Sequence, residues 1–225
     1  MTFDLLTTKL HAPSVHARLI GRPQLFERIS RELDRGLTLI SAPAGFGKTT
    51  LVAQWLAAVP LRVAWLSLDE QDSEPVRFLT YLVHALQAVV PIGEAVLQNL
   101  GSDAPPSLEP VLASFLNEIA ELEDGIVLVL DDYHEIDSET IDRLLAYLVE
   151  HRPSVLKMVI TSREDPPIPL ARMRARGELA EFRADDLKFS TAEATAFLRQ
   201  TVGLSVAPAH VRVLRQRTEV WAAGL

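Results

Sequence analysis

Residues 37–50 read Leu-Thr-Leu-Ile-Ser-Ala-Pro-Ala-Gly-Phe-Gly-Lys-Thr-Thr. An apolar, β-prone run at 37–41 passes into a loop of small residues. Gly47-Lys48-Thr49 then opens a stretch in which Leu51, Val52, Trp55 and Leu56 keep helical spacing. Strand, small-residue loop and helix in that order make a phosphate-binding loop, whose pattern is a glycine, four residues and Gly-Lys-Ser/Thr. Ala42 stands in the first glycine position, and a methyl group fits there if the backbone stays out of the glycine-only region.

Each position has a chemical reason. Successive backbone N–H groups form a nest for phosphate oxygens, and they approach closely only where side chains are small, as at Ala42, Ala44, Gly45 and Gly47. The helix expected over 48–59 points its positive end at the phosphates. Lys48 is expected to neutralise the β and γ phosphates, Thr49 to offer its hydroxyl to Mg2+ and Thr50 to meet the α phosphate. The ligand class is therefore a nucleotide, ATP or ADP with Mg2+. Ala42, Ala44, Gly45, Phe46, Gly47, Lys48, Thr49 and Thr50 are its expected contacts.

The rest of the chain repeats the alternation. Leu25, Ile29 and Leu33 share one face of a helix over 22–35, closed by Gly36. A second strand is expected at 62–68. A helix over 74–90 follows, capped by Asp72 or Ser73 and facing inward through Val76, Leu79, Val83, Leu86 and Val90. The glycines and prolines of 91–107 predict a loop. Further expected elements are a helix at 108–122, a strand at 126–130, a helix from Asp137 or Ser138 to about Glu150, and strands at 155–161 and 179–183. Strands alternating with helices predict an α/β fold, a five-stranded, mostly parallel sheet flanked by helices. After Asp185 no strand follows. Ser190-Thr-Ala-Glu193 is a capping box, opening a helix to about Thr201, and 208–217 reads as another. The expected organisation is an N-terminal segment, 1–21, an ATPase domain, 22–185, and the start of a helical domain, 186–225, which leaves Trp221 and Leu225 without a packing partner.

Two further strand ends carry chemistry. Ile126–Leu130 delivers Asp131 and Asp132 to the carboxyl edge of the sheet, beside the loop. Asp131 is expected to hold Mg2+, largely through its water shell, and Asp132 to orient or deprotonate an attacking water. The strand at 155–161 delivers Thr161-Ser162-Arg163 to the same edge. An arginine fork there matches phosphate oxygens, so Arg163 is expected to sense the γ phosphate, the competing reading being a surface pair with Glu164 or Asp165. Lys48, Asp132 and Arg163 are the expected catalytic residues.

Composition bounds the function. The 225 residues are 48% hydrophobic, enough for one sizeable core. The net charge of −8 gives no support for a phosphate-tracking nucleic-acid surface, so no direct nucleic-acid binding is expected. The absence of cysteine excludes disulfides and thiolate metal sites within this sequence. No apolar run is long enough to span a bilayer. A soluble, cytoplasmic protein with no membrane partner is expected.

Taken together, Thr8-Lys9-Leu10, Leu19-Ile20-Gly21-Arg22, Ala42–Thr50, Trp65-Leu66-Ser67-Leu68-Asp69, Leu128–His134 and Ile160–Arg163 resemble the nucleotide-binding domain of STAND ATPases. Within that class the chain resembles the large ATP-binding LuxR-type transcription regulators. The resemblance implies a P-loop fold used as a switch. ADP holds a closed monomer, inducer and ATP favour a self-associating form, and slow hydrolysis resets it. It also implies that Leu19, Ile20, Gly21 and Arg22 lie against the adenine, and that further domains of a larger regulator read out the state. Val220-Trp221-Ala222 departs from the Gly-Trp-Pro or Gly-Trp-Ala of that group.

Three functions compete: a slow regulatory ATPase, a nucleotide-binding interaction module that does not hydrolyse, and a P-loop phosphotransferase. The paired Asp131 and Asp132, and the lack of a clear arginine-rich lid, favour water as acceptor. Asp69 and Asp72 are read as a helix cap or solvated turn, and His134 as a satisfied structural histidine. Arg172, Arg174 and Arg176 are read as a solvated helix face, and Trp55 and Trp65 as core.

Overall fold

A computed structural model describes residues 4–15, 19–102 and 107–202. Among these, five strands form one sheet in the order β2-β3-β4-β1-β5: β1 (Leu37–Ser41), β2 (Arg62–Ser67), β3 (Ile126–Asp131), β4 (Leu156–Ser162) and β5 (Leu179–Arg183). Every pairing is parallel. The sheet is thus wholly rather than mostly parallel, which is what helical crossovers between strands impose. The helices are α1 (Pro23–Glu32), α2 (Lys48–Ala58), α3 (Pro75–Gln87), α4 (Glu94–Leu100), α5 (Leu108–Ala120), α6 (Glu139–His151), α7 (Leu170–Arg176), α8 (Ala184–Leu187) and α9 (Thr191–Phe197). A π-helical turn, Leu198–Val202, continues α9. The expected helix at 208–217 and the Val220-Trp221-Ala222 segment lie outside the described residues.

Strand periodicity divides the core into two layers. Leu37 and Leu39 of β1, Leu128 and Leu130 of β3, and Met158 and Ile160 of β4 face a layer built by α3, α4, α5, α6 and α7. The alternate residues Ile40, Val127, Val129, Val159 and Phe182 face Ile29 of α1 and Leu51, Val52 and Trp55 of α2. All these strand residues are buried. That explains why the runs are apolar throughout rather than alternating. Trp55 and Trp65 are both core, as expected.

The structure departs from the sequence reading in places. The helix read as 22–35 runs from Pro23, a residue preorganised for the first helical position, to Glu32. It then tightens into a 3-10 turn, Leu33–Arg35. Gly36 ends it at φ +104°, under the Arg152 guanidinium, where a Cβ would lie 2.0 Å from a guanidinium nitrogen. The expected loop at 91–107 contains α4. Val96 and Leu100 are buried at i, i+4 spacing, and Gly93 and Gly101 bound the helix rather than breaking it.

The N-terminal segment is also less irregular than expected. A 3-10 turn, Thr7–Leu10, carries Lys9 into the fold. Its ammonium pairs with Asp72 and lies 3.0 Å from Asp69 Oδ2 and 4.7 Å from the Tyr81 ring centre. Asp72 is fully buried and also accepts from Arg77 Nε at 3.1 Å. Asp69 and Asp72 form a capping box at the 3-10 turn Glu70–Ser73, while α3 is capped by Glu74 rather than by the expected Asp72 or Ser73, and the solvated-turn reading fails for the buried Asp72. Arg172 and Arg174 do lie on an exposed helix face, paired with Glu150 and Glu181.

Candidate functional site

β1, β3 and β4 end at one edge of the sheet, and their C-terminal residues meet there. The loop after β1 turns through Gly45 (φ +83°) and Gly47 (φ +74°), a region that favours glycine. Asp132 is the lone non-glycine among the described residues with positive φ, so Ala42 sits in ordinary backbone space, and its N–H donates to Ser162 O at 3.2 Å. Lys48 begins α2. Its ammonium is folded back onto the loop, donating to Ala42 O at 2.8 Å and Pro43 O at 3.2 Å. Burial lowers its pKa, Asp132 opposes that shift, and Arg163 adds to it.

Asp131 ends β3 and is 3% exposed. Its Oδ1 accepts from Thr49 Oγ1 at 2.9 Å and from Thr161 Oγ1 at 2.7 Å. Burial pushes its pKa up to about 6. The Thr161 hydrogen bond works against this, and the neighbouring Asp132 charge works with it. The Thr161 hydroxyl also accepts the Asp132 N–H at 2.9 Å. One buried hydroxyl thus holds both aspartates. Asp132 itself lies in the left-handed region, φ +60°, a conformation tolerated by aspartate but uncommon outside glycine. Asp132 lines a cleft of about 410 Å³. Ala44, Gly45, Gly47, Lys48, Thr49, Thr50 and Arg163 line the same cleft. Arg163 is half-exposed and lies 3.7 Å from Glu135. Glu135, rather than Glu164 or Asp165, is thus its acidic neighbour, and Asp165 pairs with Arg183.

His134 corrects the sequence reading. Its side chain is 7% exposed, and among the described residues neither ring nitrogen has a hydrogen-bond partner. Nε2 lies 3.1 Å from Glu135 Oε1 but out of hydrogen-bond alignment. Burial, and then the Arg163 charge, lower its pKa. It is a buried, unsatisfied imidazole behind Asp132. Its place two residues past the aspartate was the available signal.

A second, apolar cavity of about 110 Å³ adjoins the first, with Gly47 and Thr50 lining both. Leu19, Ile20, Arg22, Phe46 and Leu51 line it, together with Gln54, Phe189 and Phe197. Gly21 is exposed and does not line it. The Arg22 guanidinium donates to Leu187 O at 2.7 Å, to Lys188 O at 2.8 Å and to Glu193 Oε1 at 3.0 Å. It also lies 5.2 Å from the Phe189 ring centre. Arg22 therefore ties the helical segment to the cavity wall, a role that sequence reasoning did not assign. Gln54 was also missed, although its position four residues after Thr50 puts both on one face of α2.

Among the described residues no cluster of three His, Asp or Glu side chains forms a metal cage, and no helix is long and apolar enough to cross a membrane.

Residues 18–160 match the AAA ATPase domain family. The HTH-type transcriptional regulator MalT of Vibrio cholerae is 33% identical over 221 residues, covering 98% of this chain and 24% of the relative. The serine/threonine-protein kinase PknK of Mycobacterium tuberculosis is 36% identical over 223 residues, covering 96% of this chain and 20% of the relative. The chain thus spans about a quarter or less of the curated relatives it matches. Among solved structures, Cdc6p from Pyrobaculum aerophilum superposes with a TM-score of 0.55 at 13% identity, over 90% of this chain and 55% of that one. That likeness extends to the fold alone.

Proposed function

The chain belongs to the AAA ATPase domain family, and from that premise we propose that it is an ATP-binding switch module of the STAND type that hydrolyses ATP slowly. The observation that carries this reading is the meeting of Lys48, Thr49, Asp131, Asp132 and Arg163 at one sheet edge, next to an apolar cavity. Phosphates in the larger cleft would draw the Lys48 ammonium off the loop carbonyls, with Arg163 reaching the γ phosphate from the other side. Water attack at the γ phosphorus would break its bond to the bridging oxygen and release ADP. Asp132, which lines the cleft, would orient that water and take its proton.

Mg2+ fits the site. Burial outweighs the Lys48 charge at the Asp131 carboxylate and raises its pKa to about 6, so the group is under-compensated, and Thr49 Oγ1 stands beside it at 2.9 Å. Mg2+ takes few protein oxygens and keeps its waters, so Thr49 and Asp131 would hold it. It would supply neutralisation of phosphate charge.

Relatives named for two different outputs, a transcriptional regulator and a kinase, share this stretch. That supports a module that feeds an output rather than being one. On this reading self-association and further domains are the partners, and the compartment is the cytoplasm. The functional unit is 22–185, with 1–21 and 186–225 flanking it. Single-turnover hydrolysis of ATP tests the proposal. Asp132→Asn should retain ATP binding within about threefold while slowing phosphate release by about a hundredfold or more. Unchanged turnover would remove Asp132 from the chemistry.

A further inference from the structure

The apolar cavity contains one polar group that the fold does not use. Its polar side chains among the described residues are Arg22, Thr50 and Gln54. All three Arg22 nitrogens are committed to Leu187 O, Lys188 O and Glu193. Thr50 is exposed and also faces the phosphate cleft. Gln54 is 9% exposed, and no described residue hydrogen-bonds its amide. The amide opens onto the cavity rather than being sealed in the core, so a ligand there can reach it. Here it borders a cavity otherwise walled by Leu19, Ile20, Phe46, Leu51, Phe189 and Phe197.

An amide presents an acceptor and a donor side by side in one plane. Adenine presents the complement, an exocyclic 6-amino donor beside a ring-nitrogen acceptor. Gln54 also stands about one helical turn beyond Thr50, which lines both cavities, so the amide lies on the base side of the phosphates. Building on the nucleotide-binding reading above, we infer that Gln54 reads the base. Its carbonyl accepts from the 6-amino group and its NH2 donates to the adjoining ring nitrogen. The site is thereby selective for a 6-aminopurine nucleotide.

The test measures dissociation constants for ATP, for purine riboside 5′-triphosphate, which carries hydrogen in place of the 6-amino group, and for inorganic tripolyphosphate. The proteins are the unsubstituted chain, Gln54→Leu and Gln54→Glu. Gln54→Leu should weaken ATP about tenfold or more, purine riboside triphosphate by about threefold at most, and tripolyphosphate not at all. Gln54→Glu keeps the shape but turns the donor into an acceptor, and should lose ATP affinity as Gln54→Leu does. Equal losses for ATP and purine riboside triphosphate, or no loss for either, would overturn the inference. Retained tripolyphosphate binding shows an intact loop in each variant. If Gln54→Leu loses it, the size-matched Gln54→Glu decides. Failure of the unsubstituted chain to bind ATP and tripolyphosphate at all would sink the nucleotide reading itself.

Discussion

Replacing Asp131 with asparagine should make the ligand-free protein more stable while impairing its nucleotide site. Burial raises the Asp131 pKa from 3.8 to about 6, so folding holds a charge where the fold disfavours one. Each pKa unit corresponds to about 1.4 kcal/mol, and the difference of about two units sets an upper bound near 3 kcal/mol. The asparagine carbonyl can still accept from Thr49 and Thr161, which donate to Oδ1 at 2.9 and 2.7 Å, but its NH2 needs a partner. A net gain of about 1–2 kcal/mol follows. The sign follows from proton binding. A carboxyl with a raised folded pKa binds more protons folded than unfolded between about pH 4 and 6, so its contribution to stability falls as pH rises through that window. The cost is complete above about pH 6 and vanishes near pH 4. His134, with its lowered pKa, acts in the opposite direction at the upper end of this range. The difference between variant and unsubstituted protein therefore isolates Asp131 better than either curve alone. Urea unfolding in EDTA, from pH 8 to pH 4.5, should show the variant ahead at pH 8 and the gap closing towards pH 4.5. A variant less stable at pH 8, or a gap independent of pH, would refute the reasoning.

Lys9→Ala should cost about 3 kcal/mol in urea unfolding, because it leaves the fully buried Asp72 with Arg77 as its remaining cation. A loss within about 0.5 kcal/mol would mean that the buried pair does not act as described. Arg22→Ala removes three donors from the segment 187–193. It should destabilise that segment by about 2–3 kcal/mol, seen as faster proteolysis within residues 184–202. An unchanged cleavage rate would argue against the tie.

What the sequence made legible follows from locality. β1, its loop and α2 are contiguous, and each residue type there answers to one backbone or phosphate requirement. The parallel sheet was readable because the central strands β1 and β3 are buried along their whole length, while the edge strands β2 and β5 are partly exposed and carry Arg62, Glu181 and Arg183. α4 was hidden because glycines and prolines on both sides of it resemble a loop, although Val96 and Leu100 keep helical spacing. The Lys9–Asp72 pair joins residues 63 apart in sequence, and no local pattern marks a charge destined for burial. The two aspartates were visible at the end of β3. That Thr161 holds both of them, and that Asp132 turns through the left-handed region, depends on β4 lying alongside β3. Arg22, read as an adenine contact from resemblance, lines the apolar cavity, and its further bonds to Leu187 O, Lys188 O and Glu193 involve groups that only the tertiary fold brings near it.

The central claim is that the loop at 42–50 binds nucleotide phosphates through Lys48. Titration calorimetry of ATP with Mg2+ into the chain and into Lys48→Ala tests it directly. The account predicts micromolar or tighter binding that weakens by about a hundredfold or more in the variant, as expected when a charged contact to two phosphates is lost. Equal affinity in the two proteins would contradict it.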